Sequence, residues 1–287
     1  MITINVYGGL GNQMFQYASG KSVSLKKNTE LSLDKSLFKN YKLHNFLLDK
    51  FNIKYVDSDN SKLRNVLIKN NHTRYILSQI NKFKICRFNI LFEREEFLYN
   101  KNIDSMKFNY MFGYWQSVDY FKDIRKELLI DFSLKDKLDT NNKRLLADIL
   151  KSNSVSIHVR RGDYLKTKDA RNGHGLCSLE YYNDSIKYIN ERIPDANFYV
   201  FSDDIEWVKN SLTSKSPMIF VNNNFKNPEK DLILIKNCKH NIIANSTFSW
   251  WGAWLNENKN KIVVMPNKWM NNRQTPRGLI YKNCKII

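Results

Sequence analysis

Ile2-Thr3-Ile4-Asn5-Val6-Tyr7-Gly8-Gly9-Leu10-Gly11-Asn12-Gln13-Met14-Phe15-Gln16 opens the chain and decides its class. Ile2 to Tyr7 is rich in β-branched residues and alternates weakly, the signature of a strand. Gly8, Gly9 and Gly11 then break it. From Asn12 to about Lys27 the period turns helical, with Met14, Phe15, Ala18 and Leu25 on or near one face. Thr29 to Leu33 reads as a second strand. The opening is therefore β–loop–α–β.

A second alternating series follows further on. Ser154 to Val159, Phe198 to Phe201, Met218 to Val221, Asn241 to Ala244 and Ile262 to Met265 are predicted strands. Leu179 to Ile193, Ile205 to Leu212, Pro228 to Asn237 and Thr247 to Leu255 are predicted helices, with Pro228 at a first-turn position where proline is favoured. Between the two series, Tyr110 to Trp115 predicts a strand, and Val118 to Asp131 and Asn141 to Lys151 predict helices. Residues 35–110 give no clear periodicity. Strands alternating with helices imply mostly parallel sheets, whose ligands bind outside the carboxyl ends of the strands. At roughly 100–200 residues per domain, the 287 residues make room for two domains, read as 1–150 and 151–287.

The chain carries a formal net charge of +18, with 42% apolar and 13% aromatic residues. Such a charge points to an anionic partner: nucleic acid, a membrane surface or a phosphorylated substrate. The basic residues are scattered and often interleaved with Asn, as in Asn258-Lys259-Asn260-Lys261, a mixture that equally makes solvated surface. No nucleic-acid-binding motif is present, although a basic nucleic-acid-binding protein remains the main non-enzyme alternative. Cys86, Cys177, Cys238 and Cys284 form no C-x-x-C pair and read as reduced cytosolic thiols. The N-terminus has no basic start or long apolar core of a signal peptide, and no apolar run reaches the ~20 residues of a membrane span. The expectation is a cytoplasmic protein, at most peripheral to a membrane.

Several groups are suited to chemistry. The turn Gly8-Gly9-Leu10-Gly11-Asn12-Gln13 lets a ligand approach the backbone, and the helix that follows favours an anion. With Asp34 about 20 residues on, it has the outline of a dinucleotide fingerprint, so a nicotinamide-dependent oxidoreductase is an alternative. Met14, where the third glycine should stand, weakens it. In His158-Val159-Arg160-Arg161-Gly162-Asp163-Tyr164, alternation puts His158 and Arg160 on one face. Two adjacent arginines at a strand end need anionic partners. One is expected to grip a diphosphate bidentately and the other an internal carboxylate such as Asp163. In Ala244-Asn245-Ser246-Thr247-Phe248-Ser249-Trp250-Trp251, Ser246 or Thr247 can cap the helix or hold a phosphate. The tryptophans read as packing. Asp203-Asp204 can cap a helix. Asp231 suits a helix N-terminus, or a guanine edge, whose paired donors one carboxylate accepts. Asp57-Ser58-Asp59 is a weak D-x-D metal motif.

Taken together, Gly8 through Gln16, His158 through Tyr164 and Asn245 through Leu255 resemble the glycosyltransferase family 11 alpha-1,2-fucosyltransferases of bacterial type. The resemblance implies an α/β, GT-B-like architecture of two Rossmann-like domains facing a cleft. It implies an acceptor side in 1–150, a donor domain in 151–287, and no metal or other cofactor. The implied reaction is inverting transfer of fucose from GDP-β-L-fucose to the 2-hydroxyl of a galactose-containing oligosaccharide or lipid-linked glycan. Arg160 and Asp163 are the catalytic candidates; Asp169, His174 and Glu180 compete with Asp163 as base. The substrate-binding set is Gly11, Asn12, His158, Arg160, Asp203, Asp231, Ser246, Thr247 and Phe248. By this likeness Arg160 binds the β-phosphate, Asn12 lies near the diphosphate, Ser246 to Phe248 line the phosphate pocket, and Asp231 reads guanine.

Overall fold

The structure is a computed structural model that describes residues 1–39, 43–58, 83–85, 88–162, 175–281 and 284–287. The chain divides into two compact units: Met1–Lys135 with Arg277–Leu279, and Asp136–Pro276 with Ile280–Ile287. The boundary falls at Lys135, not at residue 150. The helix Thr140–Lys151 belongs to the second unit because its Ile149 is buried against Tyr199, Leu234 and Ile235 there.

In the first unit the strands are β1 (Ile2–Asn5), β2 (Leu31–Asp34), β3 (Val56–Ser58), β4 (Phe83–Ile85), β5 (Phe88–Phe92) and β6 (Tyr110–Phe112). They form one sheet in the order β3-β2-β1-β6-β5-β4. The pairings are parallel except for β4 with β5. Helix α1 (Leu10–Lys26) begins two residues earlier than its periodicity predicts, with Gly9 as its N-cap. Gly8 has φ +84°, which favours glycine, and a Cβ there would stand 2.9 Å from Asn12 Nδ2. Buried Met14, Phe15 and Ala18 fix α1 on the sheet.

The predicted helix over Val118–Asp131 is not continuous. It is two single 3₁₀ turns, Val118–Tyr120 and Lys122–Ile124, leading into α2 (Arg125–Asp131). Val118, Tyr120 and Phe121 are all buried, and the Tyr120 hydroxyl is tied to the chain at Leu98 and Asn100. These anchors override the helical preference.

The second unit runs α3 (Thr140–Lys151), β7 (Asn153–Val159), α4 (Leu179–Asn190), β8 (Ala196–Ser202), α5 (Ile205–Ser211), β9 (Met218–Val221), α6 (Pro228–Asn237), β10 (His240–Ile242), α7 (Thr247–Leu255) and β11 (Val263–Met265). A small antiparallel pair, β12 (Lys268–Met270) and β13 (Arg273–Gln274), and the strand β14 (Cys284–Ile286) complete it. The sheet order is β14-β11-β10-β7-β8-β9, parallel throughout. In β7, Val155, Ile157 and Val159 pack towards Tyr182, Ile186 and Val208. Ser154, Ser156 and His158 face the other way, and Ser156 accepts a hydrogen bond from buried Asn241 at 2.8 Å. A strand buried on both faces thus keeps a polar row by satisfying it.

Helix α7 is buried over Ser249 to Leu255. Trp250, Trp251 and Trp254 pack on one another at 5.2–6.1 Å between ring centroids, so the aromatic run is core, as its sequence suggests. Among the described residues, no helix is long and apolar enough to cross a membrane.

Both sheets reverse direction in the middle. The first runs outward from β1 through β2 to β3, then restarts at the opposite edge with β4 and returns inward through β5 to β6 beside β1. The second runs from β7 through β8 to β9, then resumes beside β7 with β10. Crevices for ligands open at the carboxyl ends of such neighbouring strands. The first lies at Tyr7-Gly8-Gly9 and Gly113–Gln116, the second at Arg160-Arg161 and Asn245–Phe248.

Candidate active site

At the second switch point the ring of His158 lies 5.3 Å from that of Phe248, so the end of β7 meets the start of α7. His158 is buried, with Nδ1 lacking a hydrogen-bond partner. Burial, then the neighbouring Arg160 charge, pull its pKa down to about 3. It is therefore neutral at working pH and too weak a base to take a proton from a hydroxyl. Its place is in holding the strand end against Phe248.

Both arginines pair with carboxylates from the end of β8, while the expected brace, Asp163, lies outside the described residues. Arg160 Nη1 lies 3.1 Å from Asp203 Oδ2, and Arg161 Nε lies 3.2 Å from Asp204 Oδ2. Arg161 also stacks on Trp207, 3.7 Å from guanidinium carbon to ring centroid. The backbone N–H of Arg161 donates to Asp203 at 2.8 Å. Burial raises the Asp203 pKa, but Arg160 and the N–H groups of Gly162 and Arg161 outweigh it and hold the carboxyl below its usual range. Asp203 thus orients Arg160, while Asp204 caps α5 by accepting from Trp207 N–H at 3.3 Å. Asp163, Asp169 and His174 lie outside the described residues. Glu180 sits exposed in the first turn of α4.

Ser246 occupies the N-cap of α7, but its side chain makes no cap bond. Its backbone carbonyl accepts from Trp250 N–H at 3.0 Å. The loop before it is fixed by buried Asn245, whose amide donates to the carbonyls of Gly175 and Trp269 at 3.2 and 3.1 Å. Ser246, Thr247 and Phe248 therefore stand at a braced helix N-terminus, the geometry that favours anions. Asn245 carries a positioning role that its sequence context does not announce.

Asp231 lies apart from this cluster in the connectivity, on α6 after the edge strand β9. It is tied into a buried amide network: Asn224 donates to Asp231 at 2.8 Å and to Asn142 at 2.8 Å, while Asn142 N–H donates to Asp139 at 3.0 Å. Burial pushes its pKa up to about 6, with Glu229 adding to the effect and the Asn224 bond opposing it.

In the first unit, Gly11 lies in the first turn of α1 and Asn12 Oδ1 accepts from Gln116 Nε2 at 2.9 Å, across the first switch point. Two glutamines close to Asn12 lock the glycine turn. Gln13 donates to the carbonyls of Gly8 and Asn45, and Gln16 bonds Tyr7 N–H and the Gly113 carbonyl. Both are fully buried, and their i, i+3 spacing beside the turn is the sequence sign of this bracing. Asp34 is wholly buried and accepts from Tyr110 Oη at 2.7 Å and Ser36 N at 2.9 Å. A ribose-reading acid needs an accessible carboxylate, so the oxidoreductase alternative loses its key residue. Asp57 is ion-paired to Lys35, and Asp59 lies outside the described residues. Among the described residues, no group of three or more His, Cys, Asp or Glu is placed to hold a metal ion. Cys177, Cys238 and Cys284 are free thiols, and Cys86 lies outside the described residues.

Two Rossmann-like units, each with a switch-point crevice, define the class as GT-B-like. The family model for glycosyl transferase family 11 matches residues 1–283. An alpha-1,2-colitosyltransferase of Escherichia coli is 42% identical over 277 residues, covering 94% of this chain and 92% of its own. The O-antigen biosynthesis glycosyltransferase WbnK of Escherichia coli is 34% identical, covering 91% and 92%. A galactoside 2-alpha-L-fucosyltransferase, Sec1 of Mus musculus, is 29% identical over 50% of this chain and 41% of its own. In structure, the fucosyltransferase NodZ from Bradyrhizobium aligns with a TM-score of 0.53 at 11% identity, covering 88% of this chain and 91% of that one. The chain belongs to glycosyltransferase family 11 and is a glycosyltransferase. That membership displaces the nucleic-acid-binding and oxidoreductase alternatives.

Proposed function

We propose that the chain transfers L-fucose from GDP-β-L-fucose, with inversion, to the 2-hydroxyl of a galactoside. The observation that carries this reading is the second switch point: Arg160 oriented by Asp203, beside the braced N-terminus of α7. In an inverting transfer the acceptor oxygen attacks the anomeric carbon as the sugar–phosphate bond breaks, and negative charge gathers on the departing diphosphate. Preorganised donors aimed at that charge are the largest lever on the rate. Arg160 supplies a planar fork suited to a phosphate, and Ser246, Thr247 and the positive end of the α7 dipole supply the rest. Asp231 accepts the paired donors of guanine, and Asp163 is the proposed base. In this scheme the second unit holds the donor, the first the acceptor, and protein groups rather than a metal or other cofactor meet the charge.

The linkage reading is supported by relatives whose names specify alpha-1,2 or 2-alpha transfer. A second donor has its own support. The relative that is 42% identical over 94% of this chain transfers colitose, a sugar that differs from fucose by lacking the 3-hydroxyl. The acceptor is a galactose-containing oligosaccharide or a lipid-linked glycan; the +18 charge suits an anionic leaflet carrying the latter.

GDP release measured with GDP-fucose and with GDP-colitose, against a panel of galactosides, with and without EDTA, tests the scheme. It predicts turnover of GDP-fucose, dependence on a galactoside and no loss in EDTA. Turnover of GDP-colitose alone would move the donor to the second reading, and abolition by EDTA would contradict the metal-free scheme.

A further inference from the structure

We propose that Glu93 is a positioning residue for the transfer reaction: its carboxylate folds the loop 113–116, and that loop sets Asn12 through Gln116. Asn12 stands in the first turn of α1 at the first switch point, where ligands of parallel sheets gather. The inference rests on the proposed reaction and on Asn12 as one of its substrate-binding residues. It gives a role to a side chain after β5 that acts only through others.

Parallel pairing sets Phe92 opposite Phe112, so Glu93 and Gly113 leave β5 and β6 side by side. A Cβ on Gly113 would collide with Glu93 Cβ, so glycine there lets the carboxylate reach the loop. That carboxylate accepts Tyr114 N–H at 2.6 Å and Trp115 N–H at 2.9 Å, and Gln116 N–H reinforces them. Trp115 takes φ +59°, a left-handed conformation that a bulky residue keeps only where its surroundings enforce it. Glu93 grips the loop from one side, and α1 grips it from the other. Gln16 donates to the Gly113 carbonyl at 3.2 Å and Ser19 to the Trp115 carbonyl at 3.4 Å. From this folded loop Gln116 Nε2 donates to Asn12 Oδ1 at 2.9 Å. With Oδ1 held, the donor end of the Asn12 amide lies over Gly8, where a Cβ would stand 2.9 Å from Nδ2. A fixed donor over a glycine turn at a helix N-terminus suits an anionic substrate.

A loop can be braced without an ionisable group. Glu93 is ionisable, and it lines an aromatic crevice with Phe92, Trp115 and Tyr120. Burial raises its pKa from 4.5 to about 7 against the pull of the Trp115, Tyr114 and Gln116 N–H groups, and the Glu96 charge adds to the rise. Burial also keeps the nearby Tyr120 hydroxyl neutral. Arg94, Glu95 and Lys101 line the same crevice, and α1 presents the neutral Gln16 and Ser19 to the loop. A perturbed acid in a cleft marks a functional site more often than chance. Between about pH 4.5 and 7 the folded chain holds a proton that the unfolded chain has released, so the contribution of Glu93 to stability falls as pH rises through that window. Its grip on the loop does the reverse. A protonated carboxyl turns one oxygen into a donor and cannot accept both N–H groups. The latch closes as stability declines, the opposite of what a brace of the fold alone requires.

NMR and kinetics of the whole protein test this together. In isotope-labelled protein the side-chain amide signals of Gln116, identified by their loss in Gln116→Ala, should shift with a midpoint at about pH 7. Glu93→Gln should abolish that midpoint. In transfer assays at saturating sugar nucleotide, wild-type kcat should fall about tenfold to a plateau below about pH 7. Glu93→Gln should sit near the plateau at every pH, and Glu93→Asp, which keeps the charge, should recover part of the rate and of the limb. Gln116→Ala should show the same loss, and adding Glu93→Gln to it should lower kcat no further, since both act along one path. Gln116 signals indifferent to pH, wild-type kcat in Glu93→Gln, or losses that multiply in the double variant overturn the proposal. The wild-type pH series decides even where a variant fails to fold. Failure of the fucosyl reading looks different: no turnover of GDP-fucose by a wild type whose Gln116 signals still follow pH.

Discussion

Arg160 shows how far a residue's chemistry can be read before its neighbours are known. Adjacent arginines at a strand end demand anions, and that demand was legible. The identity of the anions was not. Register pairs Val159 with Ser202, so the next residues along the two strands, Arg160 and Asp203, become neighbours across 43 positions of sequence. No local pattern encodes that register. Because Asp203 already orients the guanidinium, Arg160→Lys removes the planar fork at a prepared place. It should lower kcat by about 100-fold or more, with GDP-fucose KM changing far less, measured by steady-state kinetics. Asp231 gives a second test. Burial lifts its pKa to about 6, and only the ionised carboxylate accepts both guanine donors. GDP affinity should therefore hold above about pH 7 and fall about tenfold per pH unit below about 6. Asp231→Asn should bind GDP weakly at every pH and lose that acid limb. Calorimetric titrations between about pH 5 and 8 read both effects. His158, neutral throughout, contributes nothing to this limb.

The helices and strands of the second unit were legible because each has its own punctuation: Pro228 at the start of α6, Ser178 and Asp204 as caps that accept from Tyr181 and Trp207 N–H. The elements that escaped are those without internal period. β3, β4 and β5 lie in the stretch 35–110, where short strands take their pairing from distant neighbours. β14 is likewise defined by β11. The packing of α6 on α7 carries a checkable cost. A Cβ on Gly252 would stand 2.3 Å from Ile235 Cγ2 and 3.1 Å from its Cβ, contacts no rotamer change of Ile235 removes entirely. Gly252→Ala should destabilise the protein by about 1–3 kcal/mol, read as a lowered Tm. Ile235→Ala in the same chain should recover part of that loss. An unchanged Tm would mean the helices yield without cost.

Across the chain, each unit gathers polar groups at the switch point of its own sheet. The second collects a basic strand end and a braced helix N-terminus, and α6 of the same unit carries the buried acid proposed to read guanine. The first collects a glycine turn, locked by Gln13 and Gln16, and an aromatic crevice held by Glu93. The glycine turn was visible from its residues. The crevice was not, because Glu93, Trp115 and Tyr120 meet only after β5 and β6 pair. The net charge, which first suggested a nucleic acid, is spread over both units and decides nothing about the chemistry. The most direct test of the account is the structure of the product. GDP-fucose and a galactoside should yield a disaccharide or longer glycan in which two-dimensional NMR connects an α-anomeric fucose proton to H2 of galactose. A β-anomer, a linkage to another galactose position, or no fucosylated product from any galactoside would contradict it.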